Sequence, residues 1–301
     1  MILKFFKDWT LLIAMTAGAL LYKYTGYISF LTPYLIFTML LLTFAKLSPK
    51  DIKLNRLHGW LLVIQFMGSL LIYFVLRLFD HKLAAGAMIC VMAPTATSAA
   101  VITGMLGGNV AFLTTYTLIS SIAVVFVSPE VFSFVETHSD VPFFESFIFI
   151  AKQLILLLVV PLLIAWGVRR YSASTQKILL KLNKGSFYLW TVALMIVSGM
   201  TVKFLVEQEE PQYGLQVWIG VVSLIICSGQ FILGRYLGRR YNGDAVSVGQ
   251  GLGQKNTILA IWMAQSYLDP ISSIAPSLYV LWQNLINSFQ LWKKQRSGRL
   301  E

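Results

Sequence analysis

Acidic side chains are scarce in this chain: 13 Asp and Glu stand against 24 Lys and Arg, and all charged residues together make up 12% of it. So low a charge content excludes a disordered chain and is outside the usual range of a soluble domain. Only two cysteines occur, Cys90 and Cys227, each inside an apolar run. They form no disulfide framework and are expected as small buried hydrophobes. His58, His81 and His138 lack metal-ligand spacing, so no metal site and no cofactor are expected. The chain also has no His-Glu-x-x-His, no Gly-x-Ser-x-Gly and no paired carboxylates within its apolar runs. Intramembrane enzyme chemistry therefore has no residues to carry it.

Apolar residues, in contrast, make up 57% of the 301. At roughly 20 apolar residues per crossing, the sequence predicts ten transmembrane helices: Trp9–Tyr24, Ile28–Leu47, Trp60–Leu78, Leu83–Met105, Ala111–Val135, Phe144–Trp166, Ser186–Val206, Leu215–Leu237, Ala245–Leu268 and Pro270–Trp292. The basic start MILKFFKDW and its apolar continuation lack a small-residue cleavage site, so the first helix is expected to be retained.

Ten crossings put both termini on one side. Lys4 and Lys7, the Lys46–Arg56 cluster, the Arg169–Lys184 cluster, Arg235 to Arg240 and Lys293 to Arg299 then share that side. Only Lys23, Arg77, Lys82, Lys152 and Lys203 fall on the other, with Glu136, Asp140, Glu145, Glu207, Glu209 and Glu210. This asymmetry in short loops predicts a multi-pass protein of the cell (inner) membrane with cytoplasmic termini. It also explains the net charge of +11 through the lipid bilayer and topology, with no nucleic acid partner expected.

Two spans are interrupted. In VMAPTATSAAVITGMLGGN, Pro94 breaks the helix, and Thr95, Thr97 and Ser98 are placed to cap the half that restarts. In GQGLGQKNT, three glycines are expected to allow unusual backbone angles and close helix approach, while Gln250, Gln254 and Asn256 supply amides. Lys255 lies about 15 Å or more of helix from either membrane edge, beyond comfortable snorkelling. A cation there costs at least about 2.5–3.5 kcal/mol unless carbonyls, an anion or water meet it.

Gln65-Phe66 in the third span and Gln230-Phe231 in the eighth each precede an interrupted span. With five spans per half, this echo predicts an all-α integral membrane fold of two inverted five-helix repeats, residues 1–140 and 141–301, with broken helices meeting near the midplane. Such half-helices direct their positive ends at an anion, which gives Pro94, Thr95, Thr97, Ser98, Asn256 and Thr257 as substrate-binding candidates.

The span order, APTATSAAVITGMLGGN and the glycine-rich run ending in Asn256 resemble the bile acid:sodium symporter family from about Ile28 to Trp292. The resemblance implies that spans 4 and 9 cross inside a core of spans 3–5 and 8–10. Spans 1, 2, 6 and 7 would form a panel, and organic anions would pass between the two by alternating access. It also gives two sodium sites, whose equivalents here are Gln65, Ala99, Ala100, Thr117, Gly251, Gln254 and Lys255. Ala99 and Ala100 stand where the family has Ser-Asn, Gly251 where it has a shared glutamate, and Lys255 where it has a glutamine; Leu113 replaces one hydroxyl, while Thr117, Gln65 and Asn256 remain. Because a bound cation needs several hard oxygen ligands, the expectation is a sodium-independent secondary transporter of a small organic anion, such as a steroid acid, short carboxylate or sulfonate. Lys255 would then be either a fixed cation or a proton carrier. The alternatives are a conventional sodium-coupled symporter and a non-transporting receptor.

Overall fold

The computed structural model describes residues 2–135, 148, 152, 155–207, 213–241 and 244–297. The start of the expected sixth span, the 140/141 repeat boundary and Glu136, His138, Asp140, Glu145, Glu209, Glu210 and Arg299 lie outside those residues. The described part is helical, and its single bridge of strand type joins Thr95 to Lys255.

We number the main helices α1 (Ile2–Leu20), α2 (Leu31–Phe44), α3 (Arg56–Arg77), α4 (His81–Met92), α5 (Ala99–Leu106), α6 (Val110–Val135), α7 (Val160–Tyr171), α8 (Ala173–Leu182), α9 (Ser186–Val206), α10 (Tyr213–Arg240), α11 (Ala245–Gly253), α12 (Thr257–Tyr267) and α13 (Ile274–Ser297). Among the described residues, α3, the Val110–Ser128 part of α6, α9 and Gly214–Arg240 of α10 are long and apolar enough to cross a membrane alone. A fifth crossing arises if Tyr22–Ile28 and α2, bent by 65°, count as one. The shortfall from ten has structural causes. Expected spans 4 and 9 are each divided into halves too short to cross singly, and α13 carries polar residues along its length. The amphipathic α8, between expected spans 6 and 7, was not anticipated.

Two groups of helices pack together. Helices α1, α2, α7 and α9 associate with one another, and α3 to α6 associate with α10 to α13; α9 on α13 and α2 on α5 join the groups. Between helices in lipid the hydrophobic effect is lost, so close approach and hydrogen bonds must hold such contacts. Close approach is how α11 uses its glycines. A Cβ on Gly249 would meet Arg235 Cγ at 2.7 Å, and one on Gly253 would collide with the Phe231 ring. Contrary to expectation these glycines hold no unusual angles, since Gly249 to Gly253 are regular helix and the break follows at Gln254. The one positive φ among the described glycines belongs to Gly107, at +78°, which ends α5 in a left-handed C-cap.

Candidate crossover site between two broken helices

Each break has a local cause. Ala93 precedes a proline and is pushed to extended backbone, which stops α4 at Met92. Gln254 and Asn256 depart from helical angles and stop α11 at Gly253. The two extended segments run antiparallel: the Ala96 N–H donates to Gln254 O at 2.9 Å, and the Asn256 N–H to Pro94 O at 2.8 Å. Each break thus satisfies backbone groups of the other, as a lipid setting requires.

The ammonium of Lys255, 1% exposed, donates to Val91 O at 2.7 Å and Ala93 O at 3.1 Å. These carbonyls close the C-terminal end of α4, where unpaired oxygens and the negative end of the helix dipole coincide. Gln65 Nε2 joins it there, donating to Met92 O at 2.7 Å and Ala93 O at 3.1 Å, while Gln65 Oε1 accepts from Tyr116 at 2.8 Å and Ser120 at 3.1 Å. The freed carbonyls of α11 are met by Thr95, whose hydroxyl donates to Gly251 O at 2.7 Å, and by Tyr279, which donates to Gly253 O at 2.7 Å. Gln230 Nε2 bridges Tyr279 Oη, at 2.9 Å, and Cys90 O, at 3.3 Å. Gln65 and Gln230, the echoed pair, therefore both support α4 from adjacent helices.

None of Thr95, Thr97 and Ser98 caps the restarted helix as expected. Thr95 does not cap α5 but closes α11. Ser98 occupies the N-cap position of α5 without a capping bond from its side chain, and its hydroxyl instead accepts from Gln254 Nε2 at 3.1 Å. Of the two breaks, only the second restarts on a side-chain cap, Asn256 Oδ1 accepting from the Leu259 N–H at 3.2 Å. The physical reason is the crossover itself: the other broken segment brings Gly251 O to the Thr95 hydroxyl and the Gln254 amide to Ser98, and these partners take the place of the first turn of α5.

As a sodium pocket the residues do not fit. Ala99 and Ala100 are buried in the first turn of α5 without side-chain oxygens, Thr117 donates to Leu113 O on its own helix, and Gln65 is fully engaged. A Cβ on Gly251 would sit 3.0 Å from Tyr116 Cδ1, so the tyrosine ring crowds the space a side chain there would enter. No cluster of His, Cys, Asp or Glu able to hold a metal occurs among the described residues.

Between the two helix groups, against the crossover, lies a cavity of about 70 Å³ lined by Thr97, Ser98, Asn256 and Thr257 together with Thr32 of α2, Trp190 of α9 and Asn284 of α13. Pro94 and Thr95 are buried and are not among its lining residues. Thr32 Oγ1, Trp190 Nε1 and Asn284 Oδ1 are buried without a hydrogen-bond partner. Such groups cost about 1–3 kcal/mol each when left unpaired, and three of them belong to residues that line this one cavity. Sequence reasoning missed Thr32, Trp190 and the whole polar face of α13. A signal existed: Gln283, Asn287 and Gln290 recur at i, i+4 and i+7 in a lipid-spanning run. They have work to do. Gln283 holds the Lys255 backbone at 2.8 Å, and Asn287 links Gln254 to Gln250 at 2.9 and 2.8 Å.

One end of the crossed pair is fixed by Asp244, whose carboxylate caps α11 at Val246 and Ser247 and accepts the Asn109 N–H at 2.7 Å. Burial pushes the carboxyl upward, but the Ser247 hydroxyl and the N–H groups of Asn109, Val246 and Ser247 outweigh it and hold the group below the usual range. A lowered folded value means stabilisation that is present above the unfolded carboxylate range, about pH 3.9, and lost as pH falls through the folded value. Asp244→Ala is expected to remove that acid-side loss and to cost about 1–2 kcal/mol, as other lost caps do. That is a drop in Tm of roughly 2–8 °C at the usual scale for a chain of this order, read by thermal unfolding across pH; an unchanged Tm at neutral pH would refute the latch.

Residues 32–208 match the sequence model described as the Sodium Bile acid symporter family. A search of curated proteins returned no match.

Proposed function

The chain belongs to the sodium bile acid symporter family and is therefore a membrane secondary transporter and not an enzyme; from that premise we propose that it carries a small organic anion by alternating access, without sodium. In this reading α3–α6 and α10–α13 form the core of two inverted repeats across ten spans, α1, α2, α7 and α9 form the panel, and both termini are cytoplasmic. The substrate sits in the cavity between core and panel, at Thr97, Ser98, Asn256 and Thr257, with Pro94 and Thr95 shaping the break. The observation that carries the reading is Lys255 Nζ on Val91 O and Ala93 O; in this reading the amine is a resident cation, beside positions Ala99, Ala100 and Gly251 that bring no side-chain oxygen to a metal ion.

The arrangement assigns tasks. The N-terminal ends of α5 and α12 turn their positive dipole ends toward an anion, while the N–H groups of Ala99, Ala100, Val101, Thr257 and Leu259 are held by Ala96 O, Thr97 O, Ser98 O, Lys255 O and Asn256 Oδ1. Trp190 Nε1 and Thr32 Oγ1 of the panel can donate to the anion, and Asn284 Oδ1 of the core can accept from a hydroxyl the substrate carries. A substrate bridging both groups would couple its own binding to their closure.

Purified protein in liposomes, given labelled cholate, a short 2-keto acid and an alkyl sulfonate in parallel, is expected to take up one class equally fast in sodium and in choline buffers. Saturable stimulation by sodium alone would overturn the proposal. In the same assay Thr97→Val is expected to raise KM by at least about tenfold, the loss of one hydrogen bond to a charged group at about 1.5–3 kcal/mol, with Tm unchanged. Equal losses of affinity and Tm would return Thr97 to a packing role.

A further inference from the structure

A relay of five hydrogen bonds joins Arg235, a half-buried residue near the Arg240 end of α10, to the cavity at the crossover. Arg235 Nη2 donates to Gln290 Oε1 at 3.0 Å, and Gln250 Nε2 donates to the same oxygen at 3.3 Å and to Asn287 Oδ1 at 2.8 Å. Asn287 Nδ2 then donates to Gln254 Oε1 at 2.9 Å, and Gln254 Nε2 to Ser98 Oγ at 3.1 Å. Ser98 lines the cavity. Gly249 lets the relay begin, because a Cβ there would stand 2.7 Å from Arg235 Cγ, in the path of the arginine across α11 toward α13.

The relay has a direction, and one residue sets it. An amide can turn either its oxygen or its nitrogen to a neighbour, but a guanidinium only donates. Arg235 therefore holds Gln290 Oε1 toward itself, and that oxygen draws Gln250 Nε2. Asn287 meets this nitrogen with Oδ1, which leaves its own nitrogen for Gln254 Oε1 and turns Gln254 Nε2 to Ser98. Gln250 shows the constraint: its Oε1 is buried without a partner among the described residues, yet turning the amide over would set that oxygen against two others. At the last link Ser98 Oγ accepts, so its single proton is left to donate into the cavity.

We propose that Arg235 is a positioning residue that makes the cavity selective for anions: acting through the amides, it fixes Ser98 as a donor to a substrate it never touches. This rests on the anion reading given above. An acceptor-only side chain at position 235 would turn the amides over one after another, since each must answer its neighbour. Ser98 would then donate to Gln254, and its lone pairs would face the anion.

The test compares Arg235→Lys with Arg235→Glu in full-length protein, using liposome uptake of labelled cholate, 2-keto acid and alkyl sulfonate, each alone and with Gln290→Leu, which cuts the relay at its first link. Lysine keeps a donor-only end and is expected to hold KM within about twofold of wild type. Arg235→Glu is expected to raise KM at least about tenfold, the loss of one hydrogen bond to a charged group, with kcat little changed. With Gln290→Leu present, the lysine and glutamate variants should differ by less than about twofold, because coupling through a shared partner ends when the partner is removed. A gap that survives Gln290→Leu would assign the effect to the field of the charge, and an equal fall in kcat for both variants would reduce Arg235 to packing; either overturns the proposal. A second cycle, read in Tm, needs no substrate. Arg235→Met frees the amides to reverse, so Ser98→Ala should cost at least about 2 °C less in that background than in wild type, although the two side chains share no partner. Additive losses, the rule for such sites, would overturn the relay. Coupling in Tm from a wild type that takes up none of the three anions would uphold the relay and overturn the anion reading instead.

Discussion

Lys255→Ala is expected to reduce uptake at least 100-fold and to lower Tm by at least about 5 °C. The substitution removes the donor from Val91 O, leaves Ala93 O with Gln65 alone, and empties the path of the lysine stem inside the protein. A buried carbonyl stripped of its partner costs about 1–3 kcal/mol, and a cavity left by a long side chain adds to it. At roughly 2–4 °C per kcal/mol for a chain of 150–250 residues, the drop is measurable in detergent by any thermal assay. The transport loss has a separate origin, the missing positive charge beside the anion cavity. Lys255→Met separates the two, because it restores volume without charge: Tm should recover in part, and uptake should not. Lys255→Gln restores an amide donor as well, yet it should not create sodium dependence, because Ala99, Ala100 and Gly251 still present no side-chain oxygen. Wild-type uptake and stability in the alanine variant would reduce Lys255 to a tolerated snorkeler and sink the resident-cation reading.

How far the sequence led is clearest at the two breaks. Pro94 and the glycine-rich run marked both interruptions, because a proline and a buried lysine in lipid violate rules that nothing in the local sequence compensates. The partners of Lys255 were not legible. Val91 O and Ala93 O belong to backbone more than 160 residues away, and only the crossing of the chains makes them neighbours. Thr95 and Ser98 were assigned to their own helix for the same reason: capping rules describe one chain at a time, and here the opposite chain competes more effectively. The polar face of α13 was legible and was passed over, since its Gln and Asn residues are interleaved with Leu, Ile, Phe and Trp and line up only when placed on a helical wheel. The ten-span count rests on apolar run lengths with loop charge in support, and among the described residues four helices, or five with the bent pair, are long and apolar enough to cross alone.

Gln65 supports the second large effect. Its side chain, fully buried, makes four hydrogen bonds: donating to Met92 O and Ala93 O, accepting from Tyr116 and Ser120. Gln65→Leu conserves bulk and removes all four. Ser120 can turn its hydroxyl to the carbonyl one turn back on α6, and Ala93 O keeps Lys255, but Met92 O and the Tyr116 hydroxyl are stranded. The expected cost is about 2–6 kcal/mol at 1–3 for each stranded group. Gln65→Glu reports on Lys255 itself, since the carboxylate would face an ammonium that shares Ala93 O with the native amide. If Lys255 is charged, the pair forms and this variant is more stable than the leucine variant, with an advantage that is full at pH 8 and declines toward pH 5 as the carboxylate takes up a proton. If Lys255 is neutral, the buried glutamate is a neutral acid and the advantage runs the other way, falling as pH rises. A resident cation predicts the first trend, and Tm of the two variants measured across that range decides between them.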